Sequence, residues 1–74
     1  MTKAVLRVLR EARSPLSARQ IAVALVEGRG MDAADPMLID RFSRRAKDCL
    51  KRRSKVGVVA RIVAPGNRVF WTLI

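Results

Sequence analysis

Apolar positions along this chain follow a helical period in three segments and a strand-like alternation in two. In residues 3–13, Val5, Leu6, Val8, Leu9 and Ala12 fall on one side of a helix, with Lys3, Arg7 and Arg10 on the other. Ser14-Pro15 ends it, because proline lacks the N–H that the ladder needs. Ser17-Ala18-Arg19-Gln20 then matches a capping box, with Leu16 and Ile21 in the hydrophobic-staple positions. A second helix is expected from 18 to about 27, with Gly28 as its stop. Its small Ala22 and Ala24 permit close approach to a neighbouring helix.

Residues 28–34 are expected to form a loop, and Asp35-Pro36 to open a third helix, with Asp35 as N-cap and Pro36 in the first turn. A competing reading begins a turn at Asp32. The third helix continues to about residue 53, and Gly57 breaks it. Residues 58–63 and 68–73 alternate or are β-branched, around the turn chemistry of Ala64-Pro65-Gly66-Asn67, which predicts a β-hairpin. Val69, Trp71 and Leu73 share one of its faces, and Phe70, Thr72 and Ile74 the other.

The predicted fold is mostly α with a C-terminal β-hairpin, one domain over residues 1–74, with a short strand near residues 15–16 as an addition. The order helix, helix, helix, strand, strand resembles a winged helix-turn-helix. The resemblance rests on Pro-Leu-Ser-Ala-Arg-Gln-Ile-Ala at the second helix and Cys-Leu-Lys-Arg-Arg late in the third. It also rests on Gly-Val-Val-Ala-Arg in the first strand and Val-Phe-Trp-Thr-Leu in the second. More closely, the chain is similar to short, uncharacterised bacterial proteins of this class. Those carry an Arg-Gly-apolar-Asp loop, here Arg29-Gly30-Met31-Asp32, and a tryptophan near the C-terminus, here Trp71. The resemblance implies a DNA-binding domain and a role in transcriptional regulation. One departure is the length of residues 28–34, since a compact helix-turn-helix has a three- or four-residue turn.

Charge sharpens this picture. Sixteen Lys and Arg against six acids give a net charge of +10, which points to a polyanionic partner. Residues 35–55 hold eight of these cations against three acids, so half the net charge sits on the third helix and its cap. With Phe42 at the centre of the buried face, Leu38, Ile39, Ala46, Cys49 and Leu50 fall around it. Asp40, Arg44, Lys47 and Lys51 fall opposite, within a sector of roughly 60°. An α-helix fits the major groove, so Met37, Asp40, Arg41 and Arg44 are the expected base-reading residues. Arg44 suits a bidentate bond to guanine, and Asp40 can accept from cytosine. Lys47, Lys51, Arg52 and Arg53 are expected on phosphates, with Ser17 and Arg19 at the start of the second helix and Arg68 beside the wing tip.

Other chemistry is sparse. The chain has no His, and its one Cys, Cys49, falls on a buried face, so neither a catalytic site nor a metal site is expected. No cofactor or small-molecule ligand is expected, and the chain is not expected to be an enzyme. The longest apolar run, 21–26, is far below a membrane span, and no signal core is evident, which suggests a cytoplasmic protein, associated with the nucleoid if it binds DNA. The alternative function is a protein-interaction module docking an acidic partner. RNA binding ranks third, because the A-form major groove is too narrow for a helix and aromatics for stacking are few. A homodimer through the outer hairpin face or the first helix is a further expectation. Membrane-surface binding is disfavoured, because the helices need their apolar faces for the core.

Overall fold

In the computed structural model, which describes residues 1–74, three helices precede two antiparallel strands. They are α1 (Thr2–Glu11), α2 (Ala18–Gly28), α3 (Pro36–Lys55), β1 (Val59–Ala64) and β2 (Arg68–Leu73). The two-stranded sheet has a register in which Val59 faces Leu73 and Ala64 faces Arg68.

Side chains close the starts of α2 and α3 as the sequence predicts. The Ser17 hydroxyl accepts from the Gln20 N–H at 3.1 Å, and the Gln20 side-chain oxygen accepts from the Ser17 N–H at 2.8 Å. Two donors that α2 would otherwise leave unpaired are thus satisfied reciprocally. At α3, the Asp35 carboxylate accepts from the N–H groups of Met37 at 3.0 Å and Leu38 at 3.4 Å. The two sequence readings of this segment are consecutive in the chain. Asp32 forms a turn, its carboxylate accepting from Ala34 N–H at 2.9 Å, and Asp35 then caps the helix. Replacing Ser17 by Ala is expected to cost about 1 kcal/mol. The melting temperature, followed by circular dichroism, should fall by about 4–8 °C. An unchanged melt would mean that the box contributes nothing to stability.

All three helix ends differ from expectation. Gly28 is the last helical residue of α2, and the stop is Gly30, at φ +71°. Gly30 N–H donates to Glu27 O at 3.0 Å and Met31 N–H to Val26 O at 3.1 Å, the paired bonds of a Schellman motif. Only Gly30 takes the left-handed backbone that the motif needs, so Gly28 can remain helical. The same motif recurs after α3, with Gly57 at φ +77°, Gly57 N–H on Ser54 O and Val58 N–H on Arg53 O. Hence α3 runs to Lys55, two residues past the expected end. Val58, whose N–H closes that motif, stands just outside β1. At the other end of the chain, α1 stops at Glu11 because Ala12 already has extended backbone, at φ −75° and ψ 140°.

The core draws on every element: Val5 and Leu9 of α1, Ile21, Ala22, Leu25 and Val26 of α2, and Ile39, Phe42, Ala46, Cys49 and Leu50 of α3. Val59 of β1 and Trp71 of β2 close it from the hairpin side. Ala22 is fully buried where α2 meets the core, whereas Ala24 is only half-buried. Leu16 joins the sheet beside β2: its N–H donates to Trp71 O at 2.9 Å, and Trp71 N–H donates to Leu16 O at 2.8 Å. A single-residue bridge thus stands where a short strand is expected, near residues 15–16. It ties the hairpin to the residue before Ser17, and so fixes the hairpin against the N-terminus of α2. No helix is long and apolar enough to cross a membrane.

Candidate nucleic-acid interface

The sequence of α3 carries its own division into faces. Its buried residues, Ile39, Phe42, Ala46, Cys49 and Leu50, recur at three- and four-residue spacing. Eight Lys and Arg occupy the helix against the carboxylates Asp40 and Asp48 only. Arg44, Lys47 and Lys51 are exposed on the side away from the core. The basic residues Arg52, Arg53 and Lys55 in the last turn also suit the negative end of the helix dipole.

The expected contact residues gather in three places. Met37, Asp40, Arg41 and Arg44 line one shallow concavity on the N-terminal half of α3, together with Arg45. Met37 is 77% exposed at its edge. Ser17, Arg19, Lys47 and Lys51 line a cleft between α2, α3 and the hairpin, whose hairpin wall is Arg61, Asn67, Val69 and Trp71. The Leu16–Trp71 bridge makes this cleft, because it holds the start of α2 beside β2. Arg68 stands on the opposite face of the hairpin, near Ser17, Gln20 and Phe70. Arg52 lies on the other flank of α3, in a concavity shared with Arg29 and Arg45.

Arg53 does not join them. Eleven residues after Phe42, it returns to within about 20° of the buried direction, and it is half-buried. Its sequence neighbours Lys51 and Arg52 point to other sides of the helix, so the structure does not gather the three on one surface.

Three cations emerge that periodicity alone does not single out. Arg61 is paired across the hairpin with Trp71 and so shares its inward face, which brings it to the Lys47–Lys51 side of the cleft. That placement follows only once the hairpin register is known. Arg45 projects from the flank of α3 between the core face and the outward stripe. Arg29 lies in the loop after α2, where no period exists. Its guanidinium sits 5.2 Å from the centroid of the Phe42 ring, a cation–π contact.

Electrostatics separates this surface from an ordinary solvated one. The structure contains one ion pair, Arg7 Nε to Glu11 Oε1 at 3.3 Å, on exposed α1. The cations of α3 and the cleft have no carboxylate partner at ion-pair distance. Surface helices usually offset their charges along one face, and here the positive charge is left available to an external anion. Cys49 is buried and donates weakly to the Thr2 hydroxyl at 3.5 Å, a packing role. Comparison with known protein families, curated proteins and solved structures finds no match to this chain.

Proposed function

We propose that this chain is a winged helix-turn-helix that binds duplex DNA, with α3 in the major groove and the hairpin as its wing, in the service of transcriptional regulation. The observation that carries the reading is the convergence of unpaired cations from α2, α3 and β1 on one cleft beside the exposed face of α3. The element order and the hairpin packed beside α2 are compatible with a winged helix.

In this reading Arg41 and Arg44, with Met37 and Asp40, meet base edges from the N-terminal half of α3. Arg19, Lys47, Lys51 and Arg61 meet phosphates, which fix orientation without reading sequence. The Ser17 end of α2 adds the partial positive charge of a helix N-terminus to the same cleft. Duplex DNA is favoured over RNA because a protruding helix matches the B-form major groove, whereas the A-form one excludes it. Few aromatic side chains are available to stack on single strands, since Trp71 is only 4% exposed.

The test is fluorescence anisotropy of a labelled random-sequence duplex across a salt series, with structured RNA, heparin and an acidic polypeptide as competitors. Binding is expected to weaken steeply with salt, the slope of log affinity against log salt counting the phosphates neutralised. Displacement by duplex should exceed displacement by the acidic polypeptide at equal charge. Absence of duplex binding at low salt sinks the reading, and preference for the acidic polypeptide replaces it with protein docking.

A further inference from the structure

The cleft accounts for one flank of α3. Its other flank carries a second set of cations. Arg45 and Arg52, seven residues apart, lie on one stripe, separated by about 10 Å along the axis. Arg29 reaches the same concavity from the end of α2. Its stacking on Phe42 holds the guanidinium in place, so less conformational freedom is lost when it binds an anion. The start of α1 borders the concavity at Thr2, and no side chain caps the first turn of that helix. One carboxylate, Asp48, lies there and pairs with none of the three arginines.

We infer that Arg29, Arg45 and Arg52 form a second phosphate site, which holds the DNA strand across the groove from the strand held at the Arg19–Lys47–Lys51–Arg61 cleft. The inference rests on the duplex reading above and deepens it. Measured from the direction opposite the mean of the five buried residues of α3, Lys47 and Lys51 diverge by about 30–70° to one side, and Arg45 and Arg52 by about 70–90° to the other. A helix with its side chains is about 10–12 Å across, close to the roughly 12 Å width of the major groove. A helix seated there has a phosphate wall on each side, and this one presents cations to both. A separate duplex would require a surface turned away from the outward face, whereas both cationic flanks border it.

The experiment compares wild type with the variants Arg45→Ala/Arg52→Ala and Lys47→Ala/Lys51→Ala. Each is titrated with a native duplex and with the same duplex carrying neutral methylphosphonate linkages on one strand. All four side chains are exposed, and circular dichroism verifies the fold. On native duplex, Arg45→Ala/Arg52→Ala should reduce the magnitude of the salt slope by about 1.8, two contacts at about 0.9 each. On the half-neutral duplex, wild type should already show a reduced slope. Either double variant should then lose little more, because its intact flank can take the charged strand. Asp48→Asn should bind native duplex more tightly, a gain that damage to the fold cannot produce.

An unchanged slope for Arg45→Ala/Arg52→Ala on native duplex overturns the second site and leaves the duplex reading standing. An equal loss on both duplexes places the two flanks on one strand and also overturns it. Wild type failing to bind native duplex at all sinks the duplex reading itself.

Discussion

Replacing Arg44 and Lys47 together by glutamate is expected to lower affinity for duplex DNA by roughly 100-fold or more at moderate salt. The two residues lie on the exposed face of α3, in different concavities. Arg44 belongs with Met37, Asp40 and Arg41 on the N-terminal half, and Lys47 belongs to the cleft under the hairpin. The pair therefore removes one cation proposed to read bases and one proposed to hold a phosphate, and would set two negative charges against a DNA backbone. Neither side chain makes an ion pair or packs in the core, so the melting temperature should stay near that of wild type. The contrast decides between mechanisms: a loss of binding with an unchanged melt assigns α3 to the interface. Unchanged affinity means that α3 is not the contact, and the basic face has another partner. Alanine at the same positions should give a smaller loss, because truncation removes attraction without adding repulsion.

The largest expected effect on stability is that of Trp71→Ala. The Trp71 side chain is 4% exposed and completes the core from the hairpin side, at the residue whose backbone bonds to Leu16. Truncating a buried aromatic of this size costs about 3–5 kcal/mol, through lost burial and the cavity left behind. A single core in a chain this short seldom supplies more than about 3–5 kcal/mol. The variant should therefore be largely unfolded at room temperature, as read by far-ultraviolet circular dichroism and by loss of a cooperative urea transition. Trp71→Phe, which keeps most of the ring, should remain folded with a lower urea midpoint. A folded Trp71→Ala with a midpoint near wild type would show that the hairpin is not part of the cooperative unit. The placement of Arg61 and Asn67 in the cleft would then lose its support.

These two predictions draw on different layers of information. The wheel of α3 and the capping residues are local properties, and they are legible in the chain. Phe42, Ala46, Cys49 and Leu50 are buried where a period of 3.6 residues puts them, and Ser17 and Asp35 cap where their side-chain chemistry allows. The end of α2 is less legible. Gly28 and Gly30 are both glycines, and choosing the stop requires knowing which one takes positive φ, which depends on how the chain leaves α2 toward α3. The direction of Arg53 is by contrast a local property: the helical period turns it toward the core side, away from Lys51 and Arg52.

The amino-acid sequence by itself determined the number and order of elements, the helix starts, the core face of each helix and the surplus of positive charge on α3. Each depends on residues within about one or two turns of one another, where spacing and capping chemistry suffice. Tertiary structure alone decided which cations share a surface. Arg61 meets Lys47 and Lys51, and Arg29 meets Arg45 and Arg52, across separations in sequence that no local period spans. The reason is physical: the Leu16–Trp71 hydrogen bonds, the hairpin register and the burial of Phe42 are long-range contacts. They form only when the whole core closes, and only then do the two flanks of α3 acquire their walls.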